Sequence, residues 1–199
     1  MTRWRARRTP ADPAGPASTP GAVPADPAGT PGAAPGIPAG GPWVRLRAMV
    51  PADLTDVLTL KGELFPDDPW TAEMFAEEVA QPPGSRLYLV AEAGGEGGGR
   101  LMSGYAGMMF VPGGVQADVL TIAVAPGSWG RGIGSALLGA LLRAARDRGC
   151  AEVFLEVRKD NPRARGLYLR RGFEEIGVRR GYYQPSGVDA IVMRKDLLR

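Results

Sequence analysis

The chain has 199 residues, with 24 Lys and Arg against 21 Asp and Glu, no histidine and one cysteine. Without histidine no Ser-His-Asp or Cys-His nucleophilic site can be built, the common zinc ligand sets are out of reach, and a single cysteine forms no intrachain disulfide. Any general base is therefore Asp, Glu, Lys, Tyr, a terminus or water.

Composition is uneven. Residues 1–42 hold 10 Pro, 7 Gly and 10 Ala. So little bulky apolar surface cannot offset the entropy of ordering, and the segment is expected to be a disordered tail. Four arginines (Arg3, Arg5, Arg7, Arg8) against Asp12 and Asp26 make the tail +2 and leave +1 for the other 157 residues. Direct nucleic-acid binding by the body is not expected from that charge. The basic start lacks the apolar stretch of a secretory signal, and no run approaches the roughly 18 apolar residues of a membrane span. A cytoplasmic protein is expected, with residues 43–199 forming one domain around a single core.

The elements follow in chain order. Trp43 to Met49 alternates like a half-buried strand. Pro51-Ala52-Asp53 opens a helix with Leu54, Val57, Leu58 and Leu64 along one face. Residues 65–70 (FPDDPW) form a breaker-rich loop, and Thr71 is the N-cap of a second helix, with Glu77 and Glu78 facing outward and Pro82-Pro83-Gly84 as its stop. Arg86–Ala93, Leu101–Val111 and Val115–Val124 read as a meander of strands, joined by GGEGGG (94–99) and Pro112-Gly113-Gly114.

Ile133 to Arg148 carries Ile133, Leu137, Leu138, Leu141, Leu142 and Ala145 at helical spacing, with cations near its end and Gly149 beyond it. Cys150–Val157 reads as a strand, and Asn161-Pro162 opens a helix through Arg171. Phe173–Tyr183 and Ala190–Met193 are the last strands. The class is α/β or α+β with a mixed sheet.

Three features carry chemistry. Gly130 to Ser135 (GRGIGS) joins a strand to the strongest helix. Backbone N–H groups at such a turn can hold an anion, and glycine leaves room for close approach. A plain tight connection explains the glycines equally well. The spacing is neither that of a Walker loop nor that of the dinucleotide fingerprint. Glu156 sits inside an apolar strand between Leu155 and Val157. A carboxylate there is costly unless paired, with Arg158 or another sheet residue, or used as a base with a raised pKa. Tyr168, between Leu167 and Leu169, reads by itself as a core tyrosine, and Asn161 as a helix cap. Cys150 has nothing to activate it and reads as structural. Trp129, just before the glycine turn, is unusual in a loop and could cover something.

TIAV (121–124), GRGIGS (130–135), LEVRKDN (155–161), LYLRRGF (167–173), YY (182–183) and DAIVM (189–193) come in that order. The series resembles the GCN5-related N-acetyltransferases, and more narrowly the RimI branch, the ribosomal-protein alanine N-acetyltransferases. It covers about residues 43–197, and FPDDPW is similar to the branch's substrate-side loop. The resemblance implies a mixed, mostly antiparallel sheet with flanking helices, splayed where acetyl-CoA binds. It implies that backbone groups of Ile122, Ala123 and Val124 hold the acetyl and pantetheine end. The amides of Gly130, Arg131, Gly132, Ile133, Gly134 and Ser135 would cradle the pyrophosphate, and Asn161 would touch the cofactor from the other side. Glu156 matches the family's general base and Tyr168 its general acid, with no metal. The family turn usually starts with Gln or Arg, where this chain has Trp129.

The implied activity is transfer of acetyl from acetyl-CoA, in a ternary complex, to a protein N-terminal α-amine. The implied acceptor is the N-terminal alanine of small-subunit ribosomal protein eighteen. Glu63, Asp67 and Asp68 could attract a basic peptide or be solvated loop charges, and Tyr182 and Tyr183 line a peptide groove or sit at a sheet edge. Two alternatives stand beside this: the same fold acting on lysine side chains or small amines, and a non-catalytic acyl-CoA-dependent binding module.

Overall fold

The computed structural model describes residues 44–65, 71–81, 84–94, 100–111 and 113–198. The expected tail 1–42, Trp43, Asp67 and Asp68 with the rest of the 66–70 loop, and the turn at 95–99 lie outside the described residues.

Period-2 patterning forms seven strands among these residues: β1 (Val44–Ala48), β2 (Arg86–Gly94), β3 (Arg100–Phe110), β4 (Gln116–Val124), β5 (Glu152–Arg158), β6 (Glu174–Tyr183) and β7 (Val188–Asp196). They form one sheet in the order β1-β2-β3-β4-β5-β7-β6. Every neighbouring pair is antiparallel except β4 and β5, which run parallel. Four helices flank it: α1 (Leu54–Leu64), α2 (Ala72–Val79), α3 (Ile133–Asp147) and α4 (Pro162–Arg170). The mixed, mostly antiparallel sheet expected from the sequence is therefore the observed one.

The sheet separates two cores. On one face α3 buries Ile133, Leu137, Leu138, Leu141, Leu142 and Ala145, the stripe read from its spacing, against Ala117, Val119, Val153 and Leu155. Tyr168 and Leu167 of α4 join the same cluster. On the other face Val57 and Leu60 of α1 and Phe75 of α2 pack with Tyr88, Val90, Tyr105 and Ala123. The start of α1 is tied to the sheet by charge. Arg47 of β1 donates to both Asp53 carboxylate oxygens at 2.7 Å and to Glu92 of β2 at 2.7 Å. That bidentate guanidinium holds the Asp53 carboxyl below the usual carboxylate range.

Several boundaries differ from the sequence pattern, each for a local reason. Strand β5 begins at Glu152 because Cys150 still belongs to the end of α3. Gly149 turns left-handed (φ 74°), and the Cys150 N–H donates back to Ala145 O at 3.0 Å. Strand β7 runs on to Asp196 because a strand between β5 and β6 pairs through its backbone however polar its side chains are, as in Glu152 opposite Asp196. Glu78 does not face outward as expected: it pairs with Arg86 at the start of β2, against which α2 packs. Thr71 caps α2 as its sequence position suggests, accepting from the Met74 N–H at 3.3 Å.

Candidate active site

The site begins where the parallel pair comes apart. β4 and β5 are paired from Gln116 opposite Glu152 to Val119 opposite Leu155 and no further. Yet β4 continues to Val124 and β5 to Arg158. The cause lies on the other edge of β4. Its register with β3 passes from Val119 opposite Met108 to Thr121 opposite Gly107, so Leu120 is an extra residue. Such a bulge bends its strand and increases its twist, here away from β5.

Beyond the bulge the backbone alternates in a way that matters for binding. The Ala125 N–H donates to Ser103 O at 2.9 Å, so it points toward the β3 side. Alternation then turns the polar groups of Ala123 toward β3 as well, and those of Ile122 and Val124 into the gap. The close approach of Ala123 to β3 depends on Gly104, where a Cβ would lie 2.5 Å from Ala123 O. Of the three strand residues singled out in the sequence, Ile122 and Val124 therefore offer backbone groups to a ligand. Ala123 is spent on the sheet and core, with 1% of its surface exposed. Trp129 covers one of those groups: its indole N–H donates to Val124 O at 2.8 Å. The Arg163 guanidinium stacks 3.8 Å above the same ring.

At the mouth of the gap, residues 126–128 form one short helical turn, and Gly130 and Gly132 then take left-handed backbone (φ 78° each). Gly132 is the N-cap of α3, and among the described residues no side chain caps it. Helical bonding starts only with the Ala136 N–H to Gly132 O, so the N–H groups of Ile133, Gly134 and Ser135 have no partner within the helix. Glycine is required at 130 and 132 by backbone conformation, since a Cβ at either would meet nothing within 4 Å. Gly134 serves packing instead, with Leu167 Cδ2 3.4 Å from where its Cβ would be. Arg131 is exposed between the two glycines. Ser135 is pinned by Arg171 at the C-terminal end of α4, which donates to its hydroxyl at 2.8 Å and its carbonyl at 2.9 Å. Asn161 caps α4, its side-chain oxygen accepting from the Ala164 N–H at 3.0 Å.

Gly132→Val puts a β-branched residue into left-handed backbone, which costs about 1–2 kcal/mol, and crowds the open side of the turn. Calorimetry is expected to show acetyl-CoA affinity falling at least tenfold, with a lowered Tm.

Glu156 lies just past the last residue of β5 that pairs with β4 and is half-buried. Its partner is not Arg158, which pairs with Asp160 at 2.8 Å and stacks on Tyr183. It is Arg179, reaching over from β6 to 3.2 Å. Burial pushes the Glu156 carboxyl above the ordinary glutamate range, and Arg179 only partly opposes this.

Asp118 of β4 stands opposite Phe154, two residues before Glu156, so both carboxylates share one sheet face. It is pushed up to about 6, first by burial and then by the Glu156 charge, with Arg179 opposing. The sequence reading missed both Asp118 and Arg179. The rule that drew attention to Glu156, a carboxylate inside an apolar strand, applies equally to Asp118 in QADVLTIAV.

Tyr168 of α4 lies on the other face of the sheet, in the core under α3. It is buried, edge-on to Phe173 at 5.8 Å, and burial pushes its phenol up to about 12. The Tyr183 phenol ties the two faces together. It donates to the Glu156 backbone carbonyl at 3.3 Å, and burial and the Glu156 charge push it up. Tyr182 lies edge-on to Tyr183 at 5.2 Å, with Arg179 above its ring. Glu63 is exposed. Cys150 is a buried thiol pushed up by burial, as its sequence context implies.

A bulged strand parting from its parallel neighbour beside a bare glycine-rich helix N-terminus suits an acyl thioester with a pyrophosphate tail. Residues 54–173 match the model of the acetyltransferase (GNAT) family. The chain belongs to that family. It is 40% identical over 158 residues to the N-alpha-acetyltransferase RimI of Mycobacterium tuberculosis, a match covering 77% of this chain and 92% of the relative. The crystal structure of the ribosomal-protein-S18-alanine N-acetyltransferase from Escherichia coli superposes with a TM-score of 0.65 at 29% identity, covering 77% of this chain and 94% of the other. That of Ard1 from Thermoplasma volcanium superposes with a TM-score of 0.66 at 25% identity, covering 78% and 99%.

Membership makes this GNAT protein an N-acetyltransferase that draws its acetyl group from acetyl-CoA, and sets aside the non-catalytic binding module. Its residues fit that co-substrate: backbone of Ile122 and the N–H of Val124 facing the gap where β5 no longer pairs, and, among the described residues, N–H groups at the α3 N-terminus with no partner within the helix and no side-chain cap. Among the described residues no helix is long and apolar enough to cross a membrane, and no cluster of three or more His, Cys, Asp or Glu is placed to hold a metal ion.

Proposed function

We propose that this GNAT enzyme acetylates a free protein N-terminal α-amine, and that its acceptor is the N-terminal alanine of small-subunit ribosomal protein eighteen, in the cytoplasm. The observation that carries the reading is Glu156, a half-buried carboxylate of raised pKa at the point where β4 and β5 separate. The activities of the relatives at 40% and 29% identity support it. An ammonium cannot attack a thioester, so the acceptor must first lose a proton. At neutral pH that costs about 1 kcal/mol for an α-amine with pKa about 7.7–8.0, and about 5 kcal/mol for a lysine side chain near 10.4. A moderate carboxylate base suits the first and serves the second poorly.

In this reading Glu156 takes the amine proton, directly or through one water. The amine nitrogen attacks the acetyl carbonyl carbon. Backbone N–H groups of the gap polarise the carbonyl oxygen. The Tyr168 hydroxyl, kept protonated by burial, gives its hydrogen to the departing sulfur. Asn161 and the amides from Gly130 to Ser135 hold the cofactor, and Tyr182 and Tyr183 flank the acceptor. Residues 43–199 suffice for the chemistry.

The test mixes the protein, acetyl-CoA and a short peptide bearing that ribosomal N-terminus, free or blocked, and follows products by mass spectrometry. Acetylation of the free α-amine alone is expected, at an unchanged rate for a chain starting at residue 43. Acetylation of lysine side chains or small amines, with the α-amine untouched, would overturn the acceptor assignment.

A further inference from the structure

Acetyl transfer to an ammonium removes two protons from one nitrogen: one before attack, and one from the adduct before it collapses. A single carboxylate holds one proton at a time. Beside the gap on this face of the sheet stand Asp118 on β4 and Glu156 on β5, with Arg179 of β6 acting on both, while Glu152, farther back on the same face, is paired with Arg194.

The register makes the pair. Asp118 is level with Phe154, and Glu156 is the next residue of β5 on that face. Ala117, Val119, Val153 and Leu155 take the opposite face, under α3. Asp118 sits where the strands are still paired, and Glu156 just beyond their parting. Asp118 is therefore the deeper of the two, flanked along the sheet by Met109 and Phe154. The charges acting on it come from Glu156 and Arg179. Those acting with Glu156 are Arg179, Asp118 and the phenol of Tyr183, on which Tyr182, Tyr168 and Arg158 also act. Asp118, Glu156 and Arg179 together carry one negative charge in excess when both acids are ionised, the complement of an incoming ammonium.

We infer that Asp118 is the second proton acceptor of the acetyl-transfer site, holding the first amine proton so that Glu156 is free to take the second. It touches no reacting atom and acts through Glu156. The inference rests on the acetyl-transfer reading of the gap.

The steps balance. The ammonium gives one proton to Glu156, which passes it to Asp118. The nitrogen lone pair forms the C–N bond and the carbonyl π pair moves to oxygen. The adduct gives its second proton to Glu156. The carbonyl re-forms, the C–S bond breaks, and the sulfur takes a proton from Tyr168, which Glu156 restores. Asp118 releases its proton to water. Ammonium and thioester become amide, thiol and one proton.

The experiment uses the full chain, acetyl-CoA and an alanine-initiated peptide. Asp118→Asn is expected to lower kcat about tenfold or more while acetyl-CoA affinity stays within threefold. Asp118 is the group that titrates at about 6, so without it the acid limb of kcat/KM moves to lower pH. Stability goes the other way. The folded carboxyl lies at about 6 against 3.8 unperturbed, so the native state binds more protons across that window and loses stability as pH rises through it. Asparagine removes this penalty. The variant is then expected to melt at or above the wild-type temperature at pH 7.5, with its advantage gone near pH 4. Asp118→Glu is expected to recover most of the rate.

Wild-type kcat with an unmoved acid limb would overturn the inference. So would a slow variant that melts lower at pH 7.5 and is not rescued by glutamate, which marks a structural role. If the wild type acetylates no peptide, the acceptor assignment fails by itself, and carboxyl NMR titration decides about Asp118. Glu156→Gln must lower the Asp118 midpoint; an unmoved midpoint refutes the pairing.

Discussion

Glu156→Gln is expected to lower kcat for α-amine acetylation by about 10²- to 10³-fold, the range over which a positioned base contributes. The amide keeps the shape of the side chain and a polar contact for Arg179, which is itself largely in solvent at 45% side-chain exposure. The fold should therefore stand, and acetyl-CoA should bind within threefold of wild type by calorimetry. The pH profile carries the second half of the prediction. Because the folded Glu156 carboxyl is raised, the wild-type rate climbs with pH as that group ionises. The variant should lose that limb and keep only the dependence set by the amine. Full kcat in Glu156→Gln would move the base elsewhere on the same face.

Tyr168→Phe is expected to cost roughly 10- to 100-fold in kcat and little in stability. The ring stays, with its edge-on contact to Phe173 at 5.8 Å, and only the hydroxyl leaves a buried position. With the phenol at about 12 and a thiol near 8.5, complete transfer from tyrosine to thiolate is uphill by more than a thousandfold. The hydroxyl therefore works best as a hydrogen-bond donor that shares its proton while Glu156 returns one. It also stays protonated through the working range, so no basic limb from Tyr168 should appear between pH 8 and 10. Steady-state rates from pH 6 to 10 for the wild type and Tyr168→Phe check both points. A variant as fast as the wild type would make Tyr168 a core residue only.

The elements of this protein were legible in sequence where one period held for long enough. The α3 stripe from Ile133 to Ala145 returned residue for residue, because a long helix with one buried face repeats its signal four times over. Ends were less legible. Cys150 is apolar and precedes apolar positions, but its N–H is used to close α3. In β7 the run Arg194-Lys195-Asp196 hides a strand held by backbone pairing to β5, and at Arg194 to β6 as well. At the site, Glu156, Tyr168 and the glycine turn stood out because a charge in an apolar strand, or three glycines before a helix, is locally unusual. Arg179 could not be found that way. It sits among exposed residues of an edge strand, and β7 stands between it and the carboxylate it meets.

Local pattern thus determines which residues are strand, helix and turn, that Gly130 and Gly132 can take left-handed backbone, and that an uncompensated carboxylate lies at 156. Residue types and short spacings carry all of these. The parting of β4 from β5 depends on a pairing the chain makes elsewhere, with β3, where Leu120 falls out of register between Met108 and Gly107. So does the choice of Arg179 over Arg158 as partner, and the meeting of Asp118 with Glu156, 38 positions apart in the chain. Each is settled by distance across the sheet. A carboxylate's energy depends on the charges within a few ångströms of it, whatever their place in the sequence.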